Sequence, residues 1–565
     1  MEDLPDTLDR LENRLEALEQ RVFALEHPAG SASEAAALEL SQSPAAVEGE
    51  KLATPVASGA FSVLGKAMLG VAGAYLLRAV AESSVLPRTA VAAVAIAYAL
   101  AWLVWASRAK AGDWLAGTTY ACTSALILAP MLWELTLRFN VLAAPASAGV
   151  ISGFVIAASV LAWKRDFAPV LWVANLTAAS IALALAIASH QMLPFIVVLL
   201  LMVLICEYGA ALNREAGARV LVALAADLAI WGLIYIYESP QTARADYPAL
   251  GAIALITPGI VLFLILGTSV IYRTVLKRNR ISVFETIETM IAFLLAACGL
   301  IYFGPPWSIA ALGIFCVTLS FAGYAAAFVH FDVAREGHNY RIFATWSAAL
   351  FLAGSLMCIA KMWQAPWLGV AAVAATFAST WLRRTALELH GVVFLLVAAG
   401  ISGLLNEIFS ALAGTLPGAP GWGVCLVLVC ATLCYVAIKP CAEKLWTRQA
   451  LSIVFAALAI GAAAALLVQG LVGLTALKVI PGAHHLAFIR TLTACGAAIA
   501  LAYSGAHWRR MELTRIGYAT LALLAVKLLL EDLRHGHLAF IAGSIFLFAI
   551  TLIVVPRVGR MGQKM

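Results

Sequence analysis

The chain has 565 residues, of which 63% are hydrophobic and 12% are charged, and its formal net charge is +6. Soluble domains contain roughly 25% charged residues, so a water-soluble fold would leave too much apolar surface exposed. The basic residues are spread along the chain and do not form one patch, which argues against nucleic acid as a partner.

The first predicted element is a cytoplasmic coiled coil over residues 1–26. Leucine or valine recurs at alternating steps of four and three from residue 4 to residue 26, which is a heptad seam. The a positions are Leu8, Leu15 and Val22, and the d positions are Leu4, Leu11, Leu18 and Leu25. Arg14 at g then faces Glu19 at e of a parallel partner. The seam predicts a homodimer through residues 4–26; the alternative is a single amphipathic helix lying on the cytoplasmic face of the protein itself.

A flexible linker is predicted over residues 27–60, because this segment is rich in Ala, Ser, Pro and Glu and has no sustained period. Apolar stretches long enough to cross a hydrocarbon core of ~30 Å then recur over residues 61–556. They lie near 61–80, 89–107, 114–136, 142–163, 168–189, 193–212, 219–237, 249–272, 283–303, 308–330, 341–360, 367–382, 388–408, 421–438, 449–475, 486–504, 513–531 and 538–556. The sequence thus predicts an all-α, polytopic bundle of about eighteen transmembrane helices in contact with the lipid bilayer, followed by a basic tail at 557–565.

The charge pattern predicts the orientation of this bundle. Cytoplasmic loops of multi-span proteins are enriched in Lys and Arg. With the N-terminus inside, each predicted cytoplasmic loop contains at least two basic residues, and the tail adds more. The opposite loops and helix ends contain only Arg88, Arg138, Arg244, Lys361, Lys478, Arg490 and Arg534. Both termini are therefore predicted to be cytoplasmic.

Three stretches carry a family resemblance. They are RLENRLEALEQRVFALE, then GKAMLGVAGAYLLRAVAESSVLPRTAVAAVAIAYALAWLVWASRA, and near the end RIGYATLALLAVKLLLEDLRHGHLAFIAGSIFLFAITLIV with its K-x-x-x-x-D spacing from Lys527 to Asp532. Together they resemble the large bacterial membrane proteins catalogued as domain of unknown function 2339. The resemblance implies an inner (cytoplasmic) membrane protein of a Gram-negative bacterium, and it implies no activity.

Charged residues inside the predicted spans are the candidates for function, because a charge at mid-membrane costs at least ~2.5–3.5 kcal/mol. Asp227 lies near the middle of its span, and the sequence places Leu224, Leu228 and Trp231 with it on one buried helix face. It is either a proton- or cation-binding carboxylate or a structural residue facing another helix. Lys66 and Glu207 are further intramembrane candidates, and Glu207 is expected to pair with Arg214 or Arg219. The carboxylates Glu285, Glu288 and Glu388 lie at helix N-termini, where the helix dipole explains them without a function.

A second group of candidates gathers at the predicted outer helix ends. The pairs Arg78–Glu82, Glu134–Arg138 and Lys527–Glu531 are spaced i,i+4, so each pair shares a helix face and can neutralise itself. Asn406, Glu407 and Asp532 lie at a similar depth. If their helices converge, these residues form a polar vestibule.

The sequence predicts no cofactor and no metal site. The cysteines fall in apolar runs and are typical of packing residues, and the adjacent histidines at 484–485 and 535–537 lie in short loops. Three functions remain open. The first is a carrier or flippase for a small or amphipathic solute, with helices interrupted at Pro130 and Pro258. The second is a coiled-coil envelope scaffold. The third is a transferase for a lipid-linked substrate, with Glu82, Glu134, Glu407 or Asp532 as acid or base.

Overall fold

A computed structural model describes residues 54–83, 87–109, 114–165, 167–214, 218–240, 244–331, 337–412, 421–438, 446–476, 483–532 and 538–564. The predicted coiled coil at 1–26 and most of the linker at 27–60 lie outside these ranges. Every regular element in the described ranges is a helix. This follows from the apolar sequence, because a backbone surrounded by lipid must satisfy its hydrogen bonds within its own segment.

The helices run in chain order as follows. They are α1 (Thr54–Ser83), α2 (Arg88–Ser107), α3 (Trp114–Trp133), α4 (Ala144–Arg165), α5 (Ala168–Ala188), α6 (Met192–Ala211), α7 (Arg219–Glu238), α8 (Ala252–Ile271), α9 (Val283–Phe303), α10 (Ser308–Ala325), α11 (Gly337–Cys358), α12 (Lys361–Leu382), α13 (Thr385–Ile401), α14 (Leu404–Leu412), α15 (Trp422–Ala437), α16 (Trp446–Ala476), α17 (Ala483–His507), α18 (Met511–Lys527) and α19 (Leu538–Lys564). Four of them continue into a π-helical end, at Glu134–Arg138 after α3, Tyr272–Leu276 after α8, Ala326–Phe331 after α10 and Leu528–Asp532 after α18.

The helices pack mainly against near neighbours in sequence. The largest buried core joins α2 to α9, and a second core joins α11 to α16. Small residues allow close contact at many interfaces, as membrane helices commonly require. At the α10–α11 contact, a Cβ atom added to Gly354 would lie only 2.6 Å from the carbonyl oxygen of Gly313.

The described helices confirm a polytopic helical membrane architecture, with a smaller span count than the sequence predicts. Sixteen are long and apolar enough to cross a membrane, or seventeen if the pair α13 and α14 is one span. These two helices meet at a 73° bend, where Gly403 has a φ of +80° that favours glycine. The remaining predicted span is α15, which has 16 residues and is shorter than the usual length for crossing.

The two irregular segments are consecutive, so the predicted orientation of everything after them is unchanged if both cross the membrane or if neither does. If both cross, the chain enters α16 from the cytoplasmic side; if neither crosses, it does the same. The alternation of basic loops along the whole chain therefore agrees with sixteen or eighteen spans and not with seventeen.

We predict from this alternation that a reporter fused after Met565 is cytoplasmic and that a reporter inserted near Ala245 lies on the opposite side. Alkaline phosphatase and green fluorescent protein fusions measure this directly, because each is active on one side only. A non-cytoplasmic reporter after Met565 would contradict the predicted orientation.

Candidate functional site

A buried ion pair joins the end of α6 to the start of α7. Arg219 donates from Nε to Oε1 of Glu207 at 2.6 Å and from Nη2 to Oε2 at 2.7 Å, so the contact is bidentate. Ser269 on α8 donates to the same carboxylate at 2.5 Å. Glu207 is only 4% exposed. Of its two predicted partners the structure selects Arg219, while Arg214 donates to the backbone carbonyl of Trp163.

The network continues from Arg219 to α9 and back to α8. Glu285 accepts from Nη2 of Arg219 at 3.2 Å and is also paired with Arg273 of the π-helical end of α8. The same glutamate forms a capping box with Ser282 at the start of α9. Glu285 therefore lies at a helix N-terminus, as the sequence predicts, and it also ties α9 to two arginines outside that helix.

Beyond this network lie two buried carboxyl groups, those of Asp227 on α7 and Glu288 on α9. They are 6% and 5% exposed, and they are close enough to interact directly. Within the described residues, no hydrogen-bond donor reaches either carboxyl oxygen of Asp227 or Oε1 of Glu288. Asp227 follows Arg219 by eight residues, which is about 12 Å along an α-helix. The pair therefore lies well inside the span.

The helix face that carries Asp227 differs from the sequence prediction. Leu224, Leu228 and Trp231 are 57%, 53% and 54% exposed, so they point away from the bundle. The buried face instead contains the small residues Ala223 and Ala226 beside Asp227. In a bilayer the lipid is as apolar as leucine, so large apolar side chains face lipid and small ones pack between helices.

The charges of this inner network do not balance if every group is ionised. Its carboxyl groups are those of Glu207, Asp227, Glu285 and Glu288, and its guanidinium groups are those of Arg219 and Arg273. All four carboxyl groups belong to residues that are buried. Burying uncompensated charge is expensive, so the excess carboxylates call for protons or a bound cation.

The first outer network crosses between α1 and the end of α3. Arg78 pairs with Glu134 at 2.8 Å and with Glu82 at 3.5 Å, while Arg138 pairs with Glu82 at 3.1 Å. The expected pairing within each helix is therefore only part of the arrangement, because α1 and α3 also neutralise each other. Glu134 and Arg138 both lie in the π-helical end of α3.

The second outer network lies between α17 and the end of α18. Lys527 pairs with Asp532 at 2.5 Å and with Glu531 at 3.6 Å. Arg490 is 2% exposed and donates to Glu531 at 2.5 Å. Thr491 joins the network by donating to Asp532 at 2.8 Å.

This second network also holds the bent helix α14. Arg490 donates to the backbone carbonyl of Ser410 at 2.5 Å, and Gln469 on α16 donates to Glu407. Asn406 is exposed on the opposite face of α14, and Lys66 is exposed on α1. The structure thus gathers eight of the predicted outer residues into two networks, with Asn406 outside both, and it does not bring Lys66 to Asp227.

An apolar cleft of about 310 Å³ lies between α8, α9, α10 and α11. Its walls include Phe263, Phe293 and Trp346, and Gly267 forms part of the α8 wall. Thr289, the residue after Glu288, also lines it. The cleft and the Asp227–Glu288 pair therefore share one turn of α9.

Comparison with known proteins adds no assignment to this arrangement. The chain matches no family model, no curated protein and no solved structure. The resemblance to domain of unknown function 2339 stays a prediction from the sequence. Function must be inferred from the networks themselves.

Four charged residues of these networks were not singled out as functional from the sequence, namely Glu285, Glu288, Arg273 and Arg490. Glu288 follows the capping Glu285 by three residues, so both lie on one helix face. Glu285 caps the helix and also contacts Arg219 and Arg273, while Glu288 faces Asp227. Nothing in the local sequence of Arg273 or Arg490 distinguishes either from an ordinary loop arginine, since their partners are distant in sequence.

Proposed function

We propose that the protein is a proton-linked carrier for a small or amphipathic solute and that the Asp227–Glu288 pair binds the transported proton. One observation carries the proposal: two carboxyl groups lie together inside the membrane span and exceed the basic groups available to neutralise them. Carboxyl groups in transmembrane segments are typical of proton pathways.

The surroundings of the pair support a proton over a divalent metal. The buried titratable groups on helices packed against α7 include Glu207 and Cys206 of α6 and Glu285 of α9, and Arg273 follows α8. Tyr208 of α6 and Tyr302 of α9 are exposed, and α5 has no titratable residue. Within the described ranges, no three His, Cys, Asp or Glu residues are grouped as metal ligands. One proton held between two carboxyl groups relieves their repulsion.

Both members of the pair are buried, and neither lines the cleft between α8 and α11. A carrier must close its ion site from both sides at one stage of its cycle, and the burial of the pair is consistent with that stage. The polar track from Arg219 through Glu285 to Glu288 leads from the pair towards the predicted cytoplasmic side.

The outer networks give less support to a transferase. Glu82, Glu134, Glu531 and Asp532 each form a salt bridge with an arginine or lysine side chain. A general acid must reach the proton acceptor on its substrate, so carboxyl groups held in contacts between helices are poor candidates for that role. The predicted coiled coil is compatible with a carrier, in which it would join two copies.

Infrared difference spectroscopy of the purified protein during a pH step tests the proposal. We expect a protonated-carboxyl band that responds to pH and that is lost in Asp227→Asn or Glu288→Gln. Asp246→Asn is the matched control, because Asp246 is exposed after the end of α7. In cells, Asp227→Asn should insert normally yet fail to complement a deletion of the protein, while Asp227→Leu tests whether an apolar side chain that packs at this position is enough for function.

A band that stays unchanged in both variants, together with full complementation by Asp227→Asn, would remove the basis for the carrier. The coiled-coil scaffold would then become the leading proposal.

A further inference from the structure

A small pocket lies between α1, α2 and α3 towards their predicted outer ends, and we call it the outer pocket. Its lining includes Arg78 and Glu134 at one end and Val71 and Leu126 at the other. These residues are seven and eight positions apart on their helices, so the pocket extends roughly 10–12 Å along the span. Tyr75 and Leu126 also line it and are 64% and 63% exposed, so the pocket opens sideways to the lipid.

The outer pocket is narrow and mostly apolar away from its charged end. Its volume is about 170 Å³, whereas sites that enclose a whole drug-sized molecule usually have ~300–1,000 Å³. Ala74 of α1 and Ala95 of α2 form part of the wall, and their small side chains leave this space open. The pocket therefore has room for part of one apolar chain, while the rest of such a chain stays among the lipids.

Three guanidinium groups gather at the charged end of the outer pocket. Arg78 lines it, and the same oxygen of Glu82, Oε1, pairs with both Arg78 and Arg138. The guanidinium carbons of Arg88 and Arg138 lie 5.4 and 5.5 Å from the centroid of one ring, that of Phe139. The structure thus brings together arginines from the ends of α1, α2 and α3.

The charges at this end do not balance. Three guanidinium groups face the two carboxyl groups of Glu82 and Glu134, which leaves one positive charge in excess when all are ionised. The side chain of Arg138 is 57% exposed, and Arg88 is also exposed, so both are accessible from the membrane surface. A guanidinium group presents its N–H donors in a fork that matches a carboxylate or a phosphate. The charged end therefore favours an anionic ligand.

We propose that the outer pocket binds an amphipathic anion with one apolar chain and a phosphate or carboxylate head. The chain lies in the pocket between α1 and α3, and the head accepts hydrogen bonds from Arg88 and Arg138. A neutral chain leaves the excess positive charge in place, and an anion without a chain leaves the apolar wall unfilled. The inference goes beyond the proposed carrier, because it uses neither residue of the Asp227–Glu288 pair and requires no proton coupling.

The test measures binding of radiolabelled dodecyl phosphate to the full-length protein in phosphatidylcholine nanodiscs. Empty nanodiscs give the amount that partitions into lipid, which is subtracted. We expect saturable binding that unlabelled dodecyl phosphate and dodecanoate displace. Dodecanol, dodecyltrimethylammonium and inorganic phosphate should be at least about tenfold less effective, or roughly 1.4 kcal/mol weaker. Added salt should weaken binding, because it screens exposed guanidinium groups.

One pair of variants tests the apolar part of the site. Ala74→Leu places a larger side chain in the wall of the outer pocket. Ala72→Leu is the matched control, because Ala72 lies on the same helix but is exposed and does not line the pocket. We expect the affinity for dodecyl phosphate to fall at least about tenfold in the first variant and to be unchanged in the second.

A second pair of variants tests the charge. Arg88→Gln with Arg138→Gln removes two exposed guanidinium groups and should also weaken binding at least about tenfold. Arg108→Gln with Lys164→Gln removes the same charge from exposed positions at the other side of the bundle, and it should bind like the wild type. Displacement by dodecanol as effective as by dodecyl phosphate, or the absence of saturable binding to the wild type, would overturn the proposal. Equal affinities in the charge variant and its control would do so as well.

Discussion

Replacing Arg219 with leucine is expected to destabilise the folded protein by roughly 3–5 kcal/mol, the range found when one partner of a buried ion pair is removed. The guanidinium group makes the bidentate contact with Glu207 and also contacts Glu285. Its loss leaves Glu207 buried with Ser269 as its other hydrogen-bond donor. A hydroxyl group does not neutralise a carboxylate. Thermal unfolding in detergent, followed by size-exclusion chromatography, measures the effect.

Two further variants identify the cause of this loss. The double variant Arg219→Leu with Glu207→Leu should recover much of the stability, because the buried charge disappears while Glu285 keeps its contact with Arg273. Arg219→Lys should fall between the two, since it keeps the charge but not the bidentate geometry. If the single leucine variant is as stable as the wild type, Arg273 alone neutralises the carboxylates and Arg219 is not required.

Arg490→Leu is expected to release the bent helix α14 from the bundle. The side chain of Arg490 is buried and links the backbone of Ser410 to Glu531. Hydrogen bonds to charged groups are worth about 1.5–3 kcal/mol, so opening of α14 should become roughly ten- to a hundredfold more frequent. Hydrogen–deuterium exchange of the peptides that cover 404–412 measures this opening.

Arg515→Leu is the matched control for this experiment. Arg515 lies on α18, the helix that also contains Lys527. It is exposed and donates a hydrogen bond to Oε1 of Gln449 at 3.1 Å. The exchange of α14 should be unchanged in this control. Equal exchange in the two variants would show that the contact between Gln469 and Glu407 is enough to hold α14.

The sequence predicted the helical architecture well because a bilayer leaves the backbone few choices. Each predicted span corresponds to a helix or a bent helix pair, and the two irregular cases are α13–α14 and α15. The bend depends on Gly403 and on partners from α16 and α17. Local hydropathy does not predict the bend between α13 and α14, because the same residues would also form a straight helix.

The candidate site was only partly predictable from sequence. Asp227 and Glu207 were identified by the cost of their charge, whereas Glu288 was explained as a helix N-terminal residue. Which helix faces meet depends on packing, and a hydropathy pattern in lipid does not mark the inner face. This is also why Leu224 and its neighbours were assigned to the wrong side of α7.

The spacing from Lys527 to Asp532 shows how local geometry changes the meaning of a motif. Five residues apart on an α-helix, two side chains do not share a face. The segment Leu528–Asp532 is π-helical, and its hydrogen bonds join residues five apart. The K-x-x-x-x-D spacing therefore corresponds to one π-helical turn, which brings the two charges to 2.5 Å.

The double pairing of Arg78 has a consequence for biogenesis. The α1 segment leaves the ribosome before α3 has been translated, so Glu134 has not yet been synthesised when Arg78 enters the bilayer. Glu82, four residues further on, is the partner already present on the same nascent helix. The ion pair within α1 thus lowers the cost of its early insertion, and the later arrival of α3 adds an ion pair between the two helices.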